Sequence, residues 1–177
     1  MSETDELDRW LATSYTSAYR TACLILRNPA DAEEAVQDAF LRVWRFRASV
    51  PDGDGARPWL YRVLVNACCS KMRGDRARQA HAAATEVPDL PGTGPSPEAI
   101  AAQTETADAV RQALAALPEH LRIPLVLRFY AGLSEREIAT AIRRRPGTVK
   151  SRLHEARRRL STDSQLAAFV TATEMDQ

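Results

Sequence analysis

No stretch of eighteen or more apolar residues occurs in this chain, so no membrane insertion is expected. The opening MSETDELDRW has neither the basic start nor the apolar centre of a secretory signal, which points to a cytoplasmic protein. Cysteine is scarce. Cys23, Cys68 and Cys69 are odd in number, fall in helical-looking stretches and lack the paired spacing of a zinc site. They read as small, reduced, mostly buried side chains. His81, His120 and His154 are scattered, so no metal cluster is suggested. Paired carboxylates, a His/Cys nucleophile and a Gly-rich phosphate loop are also missing at working spacing. The chain is therefore not expected to be an enzyme, a nucleic-acid enzyme included, and no cofactor is expected.

Net charge is small too, with 24 basic side chains against 23 acidic ones, but the two signs are segregated. From Arg143 to Leu160 stand Arg143, Arg144, Arg145, Lys150, Arg152, Arg157, Arg158 and Arg159 against the single acid Glu155. Such a density repels itself unless a polyanion lies nearby, and counterion release from phosphates is the usual compensation. The run also has structure written into it. Ser134 with Glu137 three residues on is a capping box, and Leu133 can staple onto Ile138. A first helix with Ile138, Ala139 and Ile142 on its apolar side follows. A second begins near Pro146 or Gly147, since proline suits the first helical position and glycine allows a sharp entry. At 100° per residue Val149, Leu153, Ala156 and Leu160 share one side; Gly147, Lys150, Ser151, His154 and Arg158 share the other. This is a helix-turn-helix pattern with one face to pack and one to read DNA.

Upstream the chain reads as helices throughout. Leu7, Trp10, Leu11, Tyr15, Ala18, Tyr19, Ala22, Cys23 and Leu26 recur at spacings of three and four, giving one helix or two that Asn28-Pro29 ends. Asp31 is expected to cap the next helix, with Glu34 at the box position and an end near Phe46. Its packed side holds Ala32, Ala35, Val36, Ala39, Phe40, Val43 and Trp44. Leu41 falls instead among Glu34, Gln37, Asp38 and Arg45, either an isolated surface leucine or the centre of a protein contact in a charged rim.

Residues 47–57, RASVPDGDGAR, break the periodicity and read as an exposed loop. Pro58 then opens a helix to about Arg73 with Leu60, Leu64, Ala67 and Cys68 inward. Outward lie Trp59, Arg62, Asn66, Cys69, Ser70 and Arg73, an aromatic, amide and arginine stripe suited to nucleic acid or to an ordinary solvated face. The segment HAAATEVPDLPGTGPSPE, with four prolines and two glycines, has almost nothing to bury and reads as a linker. A second helical unit starts near Pro97 or Glu98. Its next break is Leu117-Pro118, Pro124 lies in a first turn or at a kink, and Gly132 is a helix C-terminal residue. The expected fold is all-α, two small helical domains (1–76 and 98–177) joined by a linker (77–97). The tail carries a helical patch at Leu166, Phe169 and Val170.

DAEEAVQDAFLRVWRF, RPWLYRVLVNACCSKMRGDRAR and LPEHLRIPLVLRFYAGLSEREIATAI with PGTVKSRLHEARRRL resemble, in this order, the extracytoplasmic-function class of bacterial sigma factors. The likeness covers nearly the whole chain. It implies a promoter-recognition subunit that binds core RNA polymerase, through the largest subunit's clamp helices and the flap, and promoter DNA. It also admits an anti-sigma factor as a further partner. By position it implies core-polymerase contacts from Glu34, Gln37, Asp38, Leu41 and Arg42. A loop from Phe46 to Arg57 would capture a flipped base of the −10 element, with Phe46, Trp59, Arg62, Asn66, Ser70 and Arg73 on melted DNA. Lys150, Ser151 and His154 would touch bases of the −35 element. Arg144, Arg145, Arg152 and Arg158 would hold its phosphates, with Thr148 on the same surface. A stand-alone helix-turn-helix regulator is the alternative, but it leaves the Leu41 face and the Asn66 stripe unused. One departure stands out: the family commonly has glycine in the turn between the last two helices, and this chain has Arg143, at a cost of roughly 1 kcal/mol if the conformation is left-handed and with the register of the turn open by one residue.

Overall fold

In the computed structural model, backbone is described for residues 3–82 and 101–161, and side chains for 6–78 and 109–161. The described residues are helical with short turns: α1 (Glu3–Leu26), α2 (Pro29–Arg45), α3 (Ala56–Ala82), α4 (Ala101–Ala116), α5 (Glu119–Phe129), α6 (Glu135–Ala141) and α7 (Pro146–Ser161). Helices α1, α2 and α3 pack on one another, as do α5, α6 and α7, so the all-α expectation of two helical domains holds. The 83–97 part of the expected linker, the expected start at Pro97 or Glu98, and the tail patch at Leu166, Phe169 and Val170 lie outside the described residues.

Residues 5–26 form one helix, not two. Its buried stripe of Leu11, Ala18, Thr21, Ala22 and Ile25 faces α2 and α3. The Thr21 hydroxyl returns to the Ser17 carbonyl (2.8 Å), and the Ser17 hydroxyl meets the Tyr61 hydroxyl of α3 at 2.8 Å. Arg27 leaves the helix at φ 64°. Asn28-Pro29 does more than end α1. Asn28, not Asp31, is the N-cap of α2: its Oδ1 accepts from Ala30 (2.9 Å) and Asp31 (3.4 Å), with Pro29 in the first helical position. An extended Asn followed by a φ already fixed near −65° is itself a strong start. Asp31 and Glu34 are thereby released to pair with Lys71 of α3.

Two corrections concern helix faces and ends. Trp44, expected on the packed side, is 38% exposed: α2 closes at Phe46, its last turn buries Val43 instead, and the Arg47 guanidinium stacks over the Trp44 ring at 5.4 Å. Helix α3 starts at Ala56 and continues to Ala82, past the end expected near Arg73 and six residues into the expected linker. Its extension DRARQAHA is made of good helix formers, with an Arg78–Asp75 pair one turn apart, and Gly74 alone does not stop it. The loop between α2 and α3 contains two short 3₁₀ turns, Arg47–Ser49 and Gly53–Gly55. Gly55 is needed there because a Cβ would stand 2.8 Å from Pro51 Cβ.

In the second domain Pro118 is the N-cap of α5 and Pro124 lies inside that helix, beyond its first turn. Gly132 leaves at φ 66°, which lets the Leu133 amide reach back to the Leu127 carbonyl (3.0 Å), as its C-terminal reading required. Arg122 is buried and its Nη1 donates to the Leu117 carbonyl (3.0 Å), holding the end of α4; burial pushes its pKa down. The buried core runs without a break from α1, α2 and α3 into α5, α6 and α7, so the two domains are packed together.

Candidate docking face and nucleic-acid interfaces

The basic two-helix unit forms as its pattern requires. Ser134 Oγ accepts from the Glu137 amide (3.3 Å), and a Glu137 carboxylate oxygen accepts from the Ser134 amide (2.6 Å), completing the capping box. Those bonds hold the Glu137 carboxyl below the usual carboxylate range. Leu133 and Ile138 are both fully buried. Helix α6 then closes with two backbone bonds, Arg143 to the Thr140 carbonyl (3.4 Å) and Arg144 to the Ala139 carbonyl (2.9 Å), with Arg143 at φ 52°. That is the Schellman arrangement glycine normally serves, so the turn keeps its register and accepts the strain. Arg143→Gly is expected to raise stability by about 1 kcal/mol with DNA affinity little changed; denaturant unfolding at fixed slope measures it.

Helix α7 buries Val149, Leu153 and Ala156 and half-buries Leu160. Its other face presents Gly147, Lys150, Ser151, His154 and Arg158, all exposed, with Arg144 and Arg145 exposed just before it. Thr148 and Arg152 are half-buried at the edge, and burial together with Arg144 lowers the Arg152 pKa. Gly147 has ordinary backbone geometry and open space where a Cβ would stand, so it is not what sets the entry; Pro146 begins the helix. Arg157 stacks over Phe129 of α5 at 5.2 Å and anchors the helix from behind.

Arg158 is not a bare cation. Its Nε and Nη2 donate to both Glu155 oxygens (2.8 and 3.0 Å), and Arg159 Nε donates to the same carboxylate (2.7 Å). Together they hold the Glu155 pKa down at about 2. Glu155→Gln is expected to tighten binding to a basic-helix target duplex by roughly threefold at low salt and to steepen its salt dependence by about one counterion. A salt titration of duplex affinity checks this.

On α2, Leu41 is 66% exposed, the largest exposure among the exposed large apolar side chains described. Glu34, Gln37, Asp38, Arg42 and Arg45 are exposed around it. Gln37 Nε2 donates to Glu33 Oε1 (3.4 Å), and Glu34 is tied to Lys71. The patch extends further than periodicity suggested. Trp44 and Phe40 flank Leu41 on the α1 side, and Phe40 meets Tyr15 edge-on at a centroid distance of 5.8 Å; Tyr15 itself is 39% exposed. Periodicity misses Tyr15 and Trp44 because each sits on the packed stripe of its own helix, yet both stay more than a third exposed.

On α3 the outward stripe splits. Asn66, Ser70 and Arg73 are exposed in line, Arg73 Nη2 donating to Ser70 Oγ (3.2 Å) and that hydroxyl to the Asn66 carbonyl (2.9 Å). Arg62 is half-buried beside them. Trp59 packs partly against Leu11, Val43 and Leu60, while Phe46 is 55% exposed at the mouth of the loop. Cys69 turns aside, half-buried near Glu119 of α5, and Cys68 is buried with its thiol pushed up to about 12. Raised thiol pKa values leave none of the three cysteines as a ready nucleophile.

Comparison with known proteins covers both halves. Residues 11–78 match the family model described as Sigma-70 region 2, and residues 107–160 match Sigma-70, region 4. A Mycobacterium tuberculosis protein named ECF RNA polymerase sigma factor SigM is 33% identical over 154 residues, 87% of this chain and 74% of its own length. The Escherichia coli K12 protein named ECF RNA polymerase sigma-E factor is 30% identical over 156 residues, 83% of this chain and 82% of its own. Among solved structures, the sigma factor RpoE in complex with the anti-sigma factor NepR from Bartonella quintana superposes with a TM-score of 0.72 at 24% identity, over 89% of this chain and 95% of that one.

Proposed function

The chain belongs to the extracytoplasmic-function RNA polymerase sigma factors, and on that premise we propose how its surfaces divide the work of promoter recognition. As a member of that family it acts with core RNA polymerase and promoter DNA in transcription initiation. In our reading, residues 1–76 engage core polymerase and the −10 element and residues 98–177 read the −35 element. The polymerase supplies all the chemistry, so the chain works in the cytoplasm by binding alone.

The observation that carries this reading is Leu41, 66% exposed at the centre of a charged helix face. A leucine there gains nothing from folding; it gains from a partner that removes it from water, while Glu34, Gln37, Asp38 and Arg42 fix register around it. The α7 face docks in the −35 major groove, with Lys150, Ser151 and His154 toward base edges, Thr148 beside them, and Arg144, Arg145, Arg152 and Arg158 toward phosphates. The stripe of Trp59, Arg62, Asn66, Ser70 and Arg73, with Phe46 at the loop mouth, holds the opened −10 strand. An aromatic-lined basic groove offsets the few kcal/mol lost when a base leaves the stack. Exposure of Asn66, Ser70 and Arg73 in one line supports that role. An anti-sigma factor would act by covering the same faces.

A stand-alone regulator would bind its duplex tightly without polymerase. A mobility-shift titration of promoter duplex with the free chain, then with core added, separates the two. Specific retention only with core is expected; tight specific binding by the free chain, unchanged by core, supports the regulator instead.

A further inference from the structure

Two arginines far apart in the chain converge on one carbonyl. Arg27, the residue after α1, donates from Nη1 to the Ala115 carbonyl at 3.2 Å, and Arg122 Nη1 reaches the same oxygen at 3.5 Å. Like charges held that close repel: burial, and then the Arg27 charge, push the Arg122 pKa down. The carboxylate that faces Arg122, Glu119, is already paired with Arg76 of α3. The cluster therefore keeps a positive charge.

Arg122 itself points to an anion. It is only 5% exposed, yet among the described residues its Nε finds no hydrogen-bond partner. A charged donor buried without a partner is costly, and an acceptor that arrives offsets the cost. Arg27 adds backbone strain at φ 64°, a conformation that side chains other than those of glycine, asparagine and aspartate rarely hold. The place is also a helix start. Arg122 Nη1 donates to the Leu117 carbonyl (3.0 Å), which sets the guanidinium beside Pro118, the N-cap of α5. Pro118 makes no side-chain cap, and its carbonyl takes the Leu121 and Arg122 amides (both 2.9 Å). The Glu119 and His120 amides thus stand at the open end of an 11-residue helix, the arrangement that holds phosphate groups elsewhere.

We propose that Arg27, Arg122 and the first two amides of α5 form a binding site for a small phosphate anion, either inorganic phosphate or the terminal group of a diphosphate. The exposed Arg27 meets the anion from the solvent side, and the buried Arg122 supplies a fixed donor from within the fold. A tetrahedral dianion has enough oxygens for both guanidiniums and both amides, and it neutralises the charge of the cluster. A carboxylate brings two oxygens and one charge, so it suits the place less well. None of these residues belongs to the α7 face, the Asn66 stripe or the Leu41 face. The site therefore stands or falls independently of the promoter reading.

The test uses the full chain, isotope-labelled for amide spectra and titrated with sodium phosphate or sodium pyrophosphate at fixed pH, with sodium chloride holding the ionic strength. The Glu119 and His120 amides and the Arg122 Nε proton should shift along one saturable curve. Saturation by phosphate assigns the free ion, and saturation by pyrophosphate alone assigns a diphosphate. Arg27→Gly removes a cation and suits φ 64°, so it should keep its helix content and bind about tenfold more weakly, the size of one charge-assisted hydrogen bond. Should it lose helix content, Arg27→Gln carries the same expectation. Arg27→Lys, which keeps the charge, should recover most of the affinity. Lys150→Ala, on the α7 face, should leave the curve unchanged. Shifts that never saturate and spread over every basic surface would overturn the site. Wild-type affinity in folded Arg27→Gly, or affinity lost only with Lys150→Ala, would overturn it equally.

Discussion

Leu41→Asp is expected to abolish binding to core RNA polymerase while leaving the fold intact. Leu41 is 66% exposed and makes no part of the buried core, so placing a carboxylate there should change stability by no more than about 0.5 kcal/mol. At an interface the same change removes an apolar anchor and strands a charge against the partner. Losses at such positions are about 3 kcal/mol, or more than a hundredfold in Kd. Pull-down of core with matched melting curves reads both halves of this expectation. Unchanged retention of core by Leu41→Asp would remove the α2 face from the account. Tyr15 and Trp44 border the same patch, so their truncation should weaken core binding by a smaller factor.

Asn66→Ala is expected to leave core binding and −35 duplex binding alone and to impair strand opening. The side chain is exposed in the middle of the α3 stripe, and the Asn66 backbone carbonyl accepts from Ser70, which leaves the amide free of that bond. Removing an amide that pairs with a base edge costs about 1–3 kcal/mol, roughly ten- to a hundredfold in the population of opened promoter. Permanganate reactivity of thymines in the −10 region, measured with core and the variant, reports that population. Equal reactivity with the Asn66→Ala variant and with wild type would assign the stripe to an ordinary solvated surface.

What the letters alone carry is local. Ser134 and Glu137 are three residues apart and satisfy each other, so the start of α6 is legible without coordinates. The strain at Arg143 is legible too, because a turn between two helices of this pattern asks for a left-handed residue whatever its side chain; the structure adds that the Schellman bonds survive. Asn28-Pro29 reads as a stop and is equally a start, since the two signals share the same letters and only the following hydrogen bonds distinguish them. Trp44 and the extension of α3 to Ala82 escape for opposite reasons. One is a packed-stripe position in the last turn of its helix that the core leaves 38% exposed, the other a helix carried on by propensity past the expected break. The packing of one domain on the other is invisible in the sequence, as where the Arg57 guanidinium donates to the Ala131 carbonyl. Arg57 and Ala131 are 74 residues apart, and nothing in either segment announces the other.

If this chain directs polymerase to a promoter and has no separate life as a duplex binder, run-off transcription tests that most directly. The template carries both promoter elements, and purified core enzyme is supplied with the wild-type chain as sole specificity subunit. The predicted result is a discrete transcript that requires the chain and is lost with Leu41→Asp. Tight sequence-specific duplex binding by the free chain, with no transcript when core is added, would contradict it.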